Sequence, residues 1–217
     1  MTKLITVTGR AGAGKTTIAA IIAERLSERH TVCLIDNNNN NMNIYSASAS
    51  IENINLYSCL SDKESCCRAI KESATEVKKN LYFFSGSHDL LTEEQMQLLK
   101  EQDIFDYIIM DSMVEVSDDI SDINVIVVNQ NTLEFNAAAY HRITGSNKII
   151  VINRYAENSE FKMKKEFKLF FCPEIIDFAN GFKLVLPEEN EKEIERIIEK
   201  ITGDKSVVKA KKKFKLF

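Results

Sequence analysis

Short, continuous runs of apolar residues alternate along the chain with segments whose apolar positions recur at helical spacing. Runs without an alternation of polar and apolar residues are typical of parallel strands that are covered on both faces. We therefore predict strands at 4–8, 31–36, 81–85, 107–111, 125–129 and 148–153, with a further short strand at 183–186.

Segments with helical patterns lie between these strands, so right-handed crossovers are expected. The sequence therefore predicts an α/β fold: a doubly wound, mostly parallel sheet of about seven strands with helices on both faces. A ligand crevice is expected at the carboxyl ends of the strands. The predicted helices span 15–29, 62–79, 92–102, 133–141 and 188–202, and the segment 160–171 is predicted to cover an edge of the sheet.

A glycine-rich loop joins the first predicted strand to the first predicted helix and fits the pattern G-x-x-x-x-G-K-[ST]. In this setting the backbone N–H groups surround a phosphate, Lys15 reaches the β- and γ-phosphates, and the Thr16 hydroxyl binds Mg²⁺. A simple turn without a ligand would need neither the lysine nor so many glycines. The predicted phosphate-binding residues are Gly9, Arg10, Ala11, Gly12, Ala13, Gly14, Lys15 and Thr16.

Two carboxylates stand at the ends of apolar runs that are predicted strands. Asp36 follows one run and Asp111 follows another. Because the carboxyl ends of parallel strands meet at one edge of a sheet, both carboxylates are expected near the glycine-rich loop. Each could instead cap a turn. Together with the loop they predict a magnesium shell formed by Thr16, Asp36 and Asp111.

The charge is uneven along the chain. The net charge is −4, but residues 205–217 contain six lysines and no acidic residue, which leaves 22 basic and 32 acidic residues in 1–204. We predict one P-loop domain at 1–204 and a basic, amphipathic tail at 205–217. As a helix the tail would suit an anionic membrane surface. A solvated end or a docking segment for another protein is the alternative, and nucleic acid is a weaker candidate because the body is acidic.

Three features of the sequence predict where in the cell the protein is located. No apolar run approaches the roughly 20 residues of a membrane span, and the start of the chain lacks a signal-peptide pattern. The five cysteines lack metal-binding spacing and are interpreted as reduced thiols. These features favour a cytoplasmic protein, with peripheral attachment to the inner face of the membrane through the tail as a further expectation.

The sequence resembles the ParA/MinD family of P-loop ATPases, and the TadZ/CpaE pilus-assembly branch is one candidate within it. The resemblance covers roughly 3–200. It is carried by the glycine-rich loop continued to Thr17 and by the segments 34–36, 106–111 and 151–154. It implies that Asp36 belongs to a first switch, that Asp111 begins a second switch, and that Asn153, followed by Arg154, reads adenine.

Two departures from the family pattern affect the predicted chemistry. Arg10 stands where the family has a lysine that reaches the partner's phosphates; arginine keeps the charge, although it could also face solvent. Asn38 stands where the family has an aspartate that orients the attacking water. Because an amide is a negligible base near neutral pH, we expect slow hydrolysis. The alternative is that Asn38 belongs to a polar loop and another residue orients the water.

The resulting hypothesis is a Mg-ATP-binding, ParA/MinD-like protein with weak ATPase activity. Lys15, Arg10, Asp36 and Asn38 are its predicted catalytic residues, with ATP and Mg²⁺ as cofactors. An ATP-dependent homodimer would act as a switch that positions a larger complex through an unidentified protein partner. Two alternatives stay open: a nucleotide-binding pseudo-ATPase scaffold, and a P-loop kinase or ligase with an unidentified acceptor.

Overall fold

The fold is given by a computed structural model of the chain. It describes residues 1–38, 45, 70, 74–84, 90–113, 116–130, 147–156, 166–179, 181 and 183–204. The predicted helix 133–141, most of the predicted helix 62–79 and the tail 205–217 lie outside the described residues.

Eight strands and four helices are formed within the described part of the chain. The strands are β1 (Lys3–Gly9), β2 (Val32–Asn37), β3 (Thr75–Lys78), β4 (Leu81–Phe84), β5 (Tyr107–Ser112), β6 (Ile123–Asn129), β7 (Lys148–Tyr155) and β8 (Phe167–Phe170). The helices are α1 (Lys15–Ser27), α2 (Glu93–Glu101), α3 (Pro173–Ala179) and α4 (Glu188–Thr202).

The strands form a single sheet in the order β3-β4-β2-β5-β1-β6-β7-β8. Every neighbouring pair is parallel except β3 and β4. The chain leaves β1 to one side and later returns to its other side, so β1 lies at the position where the direction of winding changes. Ligands bind at such positions in open α/β sheets, beyond the carboxyl ends of the strands.

Helices cover both faces of the sheet, which confirms the predicted doubly wound α/β fold. Alternate residues of each central strand point to opposite faces. One face packs against α1, α3 and α4 through buried residues such as Ile21, Phe178 and Ile197. The other face packs against α2 through Met96 and Leu99. The strand ends are thereby held in fixed positions around the loop after β1.

Six predicted strands and three predicted helices are confirmed, with boundaries that differ by at most a few residues. The strand predicted at 183–186 is wrong, because this segment has no strand structure and instead leads into α4. The C-terminal end of the predicted helix 62–79 is also wrong. There Thr75–Lys78 forms β3, which pairs with β4 after a turn that contains Asn80 at φ 63°.

The outer edge of the sheet is formed by β8, within the segment predicted to cover that edge. Helix α4 takes over the covering role. Its Asn190 accepts a hydrogen bond from the Phe170 N–H at 2.7 Å and donates one to the Phe170 carbonyl at 3.0 Å. Glu193 accepts from the Lys168 N–H at 3.2 Å. These contacts satisfy backbone groups that a free edge strand would expose.

Among the described residues, no helix has the length and apolar character that crossing a membrane requires.

Candidate functional site

The loop between β1 and α1 depends on glycines with positive φ angles. Gly9, at φ 144°, passes so close to β6 that an added Cβ would lie 2.1 Å from the Val127 carbonyl oxygen. Gly12, at φ 75°, has nothing within 4 Å of the position of such a Cβ. The loop is therefore packed tightly against the sheet at its start and open at its middle. An open backbone concavity of this kind can accept an anion.

Helix α1 begins directly after this loop, at Lys15. Its N-cap residue is Gly14, which provides no side-chain hydrogen bond to the first turn. The N–H groups of that turn and the positive end of the helix dipole are thus available to a ligand. The Lys15 side chain is buried, and its Nζ donates to the Arg10 carbonyl at 3.3 Å across the loop. Lys15 is accordingly placed to bind phosphate oxygens at the open side of the loop.

Thr16 and the two predicted metal-binding aspartates meet at the mouth of the loop. The Thr16 hydroxyl donates to Asp111 Oδ2 at 2.5 Å. Asp36 and Asp111 are opposite each other in the parallel register of β2 and β5, and both are buried. The strand order, which places β5 between β2 and β1, brings the three side chains together.

The pKa of Asp111 is raised mainly by burial, and the charge of Asp36 raises it further. Hydrogen bonds from Thr16 and Asn38 and the charge of Lys15 act in the opposite direction. Asp111 Oδ1 is buried without a hydrogen-bond partner among the described residues. An uncompensated carboxylate of this kind is suited to hold a cation.

Asn38 connects the two carboxylates. Its backbone N–H donates to Asp36 Oδ1 at 3.1 Å, and its Nδ2 donates to Asp111 Oδ2 at 3.4 Å. The side chain is buried, and its own Oδ1 has no hydrogen-bond partner among the residues that the structure describes. Asn38 therefore belongs to the site and has an acceptor oxygen available for a water molecule.

Asn37 belongs to the same region, although only its position beside Asp36 distinguishes it in the sequence. Its Oδ1 accepts a hydrogen bond from the Leu91 N–H at 2.8 Å. Leu91 precedes a capping box in which Thr92 and Gln95 exchange hydrogen bonds at the start of α2. Glu93 in turn accepts from the Ser117 N–H at 3.0 Å, in the loop that follows β5. The start of α2 and the residue that precedes its cap are thus bonded to the end of β2 and to the loop after β5.

Two asparagines lie behind the loop. Asn153 Nδ2 donates to the Ala13 carbonyl at 2.8 Å, and its Oδ1 accepts from the Arg154 N–H at 2.9 Å. Asn129 Nδ2 donates to the Gly12 carbonyl at 3.4 Å. Asn129 was missed at the sequence level, where the only signal is a polar residue at the end of an apolar strand.

The remaining predicted residues lie at the surface of the site. Arg10 and Ala11 are exposed at the tip of the loop, and Arg10 has no ion pair with a carboxylate of the described residues. Thr17 is half-buried in the first turn of α1. Arg154 is exposed and has a left-handed backbone with φ 57°, at the irregularity between β7 and β8.

The residues present fit a magnesium ion that is shared with a phosphate ligand. No group of three His, Cys, Asp or Glu side chains capable of holding a metal occurs within the described ranges. Mg²⁺ is commonly bound by one or two carboxylates, waters and substrate phosphates. Thr16 with the buried aspartates Asp36 and Asp111 provides such a partial shell, next to the loop that would hold the phosphates.

The fold is that of the ParA/MinD group of P-loop ATPases, as comparison with solved structures shows. No family model matches the sequence, and no curated protein is significantly similar to it. A candidate plasmid partition protein from Borrelia burgdorferi, solved with bound AMPPNP, is 20% identical with a TM-score of 0.66; the match covers 94% of this chain and 99% of that chain.

Two MinD structures are similar to the same extent. The septum site-determining protein MinD of Pyrococcus horikoshii, complexed with Mg-ADP, is 17% identical with a TM-score of 0.66, over 96% of this chain and 100% of that chain. The MinD cell division protein of Aquifex aeolicus is 18% identical with a TM-score of 0.67, over 94% of this chain and 98% of that chain. At these identities the comparisons establish the fold.

Proposed function

We propose that this protein is a Mg-ATP-binding ATPase of the ParA/MinD type. The observation that carries the proposal is the cluster at the mouth of the glycine-rich loop. There Thr16 bonds Asp111 at 2.5 Å and Asp36 lies beside it on the neighbouring strand. The AMPPNP and Mg-ADP named for two of the similar structures support a purine nucleotide as the ligand.

Each group has a physical role in binding the nucleotide. The free N–H groups at the start of α1 and the Lys15 ammonium neutralise phosphate charge. Thr16, Asp36 and Asp111 would hold Mg²⁺, which when bound supplies positive charge for the phosphates. Burial of Lys15 and Asp111 makes these interactions stronger than they would be at the surface.

Hydrolysis is expected to be slow. Asn38 has an unpartnered, buried Oδ1 that can accept a hydrogen bond from a water molecule next to the γ-phosphate. An amide orients this water but does not take its proton at neutral pH. The ATP-bound state is consequently expected to last long. A long-lived ATP-bound state suits a protein that acts as a switch, whereas an enzyme with a high turnover rate needs fast hydrolysis.

The proposed use of that state is a homodimer that forms with ATP and positions a larger complex. Arg10 supports this proposal, because it is exposed at the loop tip and has no ion pair with a carboxylate within the described part of the chain. Its guanidinium can therefore reach phosphate oxygens of a facing subunit. An unidentified protein and an anionic membrane surface, contacted through 205–217, are the proposed further partners.

Calorimetric titration with ATP, with and without Mg²⁺, tests the proposal. We expect the wild type to bind and Lys15→Ala to lose at least about 100-fold in affinity, since a buried charge on the phosphates is removed. Lys192→Ala, which removes a lysine from an exposed pair with Glu188, is the matched control and should bind like the wild type. Equal affinities of Lys15→Ala and Lys192→Ala would contradict the proposed site.

A pseudo-ATPase scaffold is the second candidate, and Asn38 is the observation that favours it. Under this alternative the site binds Mg-ATP with the same residues but never cleaves it. The two functions differ in one measurable quantity, the formation of ADP in a single turnover with protein in excess over nucleotide.

A further inference from the structure

Two asparagines from neighbouring strands hold the carbonyl side of the glycine-rich loop. Asn129 and Asn153 are opposite each other in the parallel register of β6 and β7. Their side-chain amides donate to successive loop carbonyls, Asn129 to Gly12 at 3.4 Å and Asn153 to Ala13 at 2.8 Å. The strand ends thus determine the direction of two consecutive carbonyls in the loop.

A hydrogen bond that holds a peptide carbonyl in one direction also sets the direction of the N–H in the same peptide. The C=O and N–H of a trans peptide point in opposite directions, and the described residues contain no cis peptide. Because Asn153 binds the Ala13 carbonyl, the N–H of Gly14 points away from Asn153. That N–H belongs to the loop that would bind the phosphates. The hydrogen bond from Asn153 therefore sets the direction of an N–H group that could donate to a phosphate.

Asn153 packs closely against the backbone of the loop. The residue is only 5% exposed, and both of its polar atoms have partners in the protein, namely the Ala13 carbonyl and the Arg154 N–H. It also packs directly against the loop, since a Cβ added at Gly14 would lie 2.4 Å from its Nδ2. The Ala13 carbonyl belongs to the loop backbone, and this loop would contact the phosphates of a nucleotide.

We propose that Asn129 and Asn153 form an asparagine clamp that positions the phosphate-binding loop. Both are positioning residues, and the clamp contributes to the binding of any ligand that carries the phosphates. This inference rests on the proposed function, because it takes the loop as the site of Mg-ATP. It differs from the adenine-reading role that the family resemblance implies for Asn153.

The test compares Mg-ATP with Mg-tripolyphosphate, a ligand that has the phosphates but no base. Asn153→Ala is expected to weaken the binding of both ligands, with a loss of about tenfold for tripolyphosphate from the loss of one well-formed hydrogen bond. Asn129→Ala should weaken both about threefold, because its bond to Gly12 is longer. The double variant should lose less than the product of the two factors, since both residues hold the same loop.

Asn190→Ala is the matched control. Asn190 is also buried and also donates to a backbone carbonyl, that of Phe170, but it lies at the outer edge of the sheet. It should lower the thermal unfolding temperature and leave both affinities unchanged. This comparison separates positioning of the loop from a general loss of stability.

Three outcomes would overturn the clamp. A loss confined to ATP, with tripolyphosphate unaffected in Asn153→Ala, would identify that residue as a base reader. Unchanged affinity for both ligands would show that the loop keeps its shape without it. Failure of the wild type to bind either ligand would overturn the proposed function itself, and the clamp with it. Inosine triphosphate provides a second comparison, in which Asn129→Ala is expected to leave the ratio of its affinity to that of ATP unchanged.

Discussion

At the scale of single residues, Asp111 is a group that is costly to keep ionised. It is fully buried, and burial raises its pKa more than its hydrogen bonds and Lys15 lower it. One of its oxygens has no hydrogen-bond partner among the described residues. Proteins keep such groups where activity requires them, at a cost in stability.

We expect Asp111→Asn to stabilise the metal-free protein at neutral pH while it weakens binding of Mg-ATP. The pKa of Asp111 is raised in the folded state above its ordinary value of 3.8, so folding favours the protonated form. The free energy of unfolding therefore falls as the pH rises through the interval between the unfolded and folded pKa values. Asparagine avoids this loss, and the gain should be about 1 kcal/mol at pH 7.

Urea unfolding in EDTA at several pH values measures this effect. The wild type should lose stability relative to Asp111→Asn as the pH rises, and the difference should vanish at strongly acidic pH. Asp119→Asn, at an exposed position, is the control and should follow the wild type. A less stable Asp111→Asn protein at pH 7 would contradict the account.

Asn38 allows a prediction about turnover. Asn38→Asp should raise the rate of ATP hydrolysis by at least about tenfold, because a carboxylate can accept a proton from the attacking water whereas an amide cannot. Asn38→Ala should fall below the wild type, since it removes the Oδ1 that is available for the water. Single-turnover formation of ADP measures both. Identical rates in all three proteins would favour the pseudo-ATPase scaffold or another water-orienting residue.

At the scale of elements, the strand β1 and the loop after it depend on a close backbone contact with β6. Gly9→Ala should cost about 3 kcal/mol of stability, because its Cβ would lie 2.1 Å from the Val127 carbonyl, a rigid group. Gly203→Ala is the matched control. It also has a positive φ, 81°, but its Cβ would have nothing within 4 Å, so only about 1 kcal/mol is expected.

Denaturant unfolding of both glycine variants checks this prediction. The result depends on the difference between the two losses, which reflects the contact with Val127 together with the different backbone angles, φ 144° at Gly9 and 81° at Gly203. Equal losses for Gly9→Ala and Gly203→Ala would mean that β6 can move away from the loop, and that the loop is not fixed by this contact.

Periodicity predicted the buried elements well and the edge elements poorly. Central strands such as β1 and β5 are buried on both faces, and their mostly apolar sequences are typical of strands in a covered parallel sheet. At the edges, β3 is half exposed and continues a charged segment with helical character, so its pairing with β4 decides its structure. The short β8 likewise depends on β7 and α4.

The site was predictable to the extent that it follows from the glycine-rich loop and the strand-terminal carboxylates. The meeting of Thr16 with Asp111 could be expected, because strand ends converge in a parallel sheet. Asn37 and Asn129 could not be found, because their roles are hydrogen bonds to distant backbone groups, those of Leu91 and Gly12. The order of strands in the sheet creates these contacts, and no local pattern encodes it.

At the scale of the whole molecule, the fold places the residues of the proposed nucleotide site at one edge of the sheet. Leu91, which precedes α2, donates its N–H to Asn37 at the end of β2, and Glu93 in α2 accepts from the Ser117 N–H in the loop after β5. Both carboxylate-bearing strands are therefore linked to the same helix. A shift of the end of either strand would therefore reach the other through this segment, and Arg10 is exposed at the tip of the loop.

The measurement that tests this account most directly is the molar mass in solution, determined by light scattering with Mg²⁺ plus AMPPNP and again with ADP. We predict about twice the 24.7 kDa of one chain with AMPPNP and a single chain with ADP, and a single chain in both conditions for Arg10→Ala. A mass that is the same with both nucleotides would contradict a switch: a constant dimer would indicate a permanent scaffold, and a constant monomer would exclude a role for Arg10 across an interface.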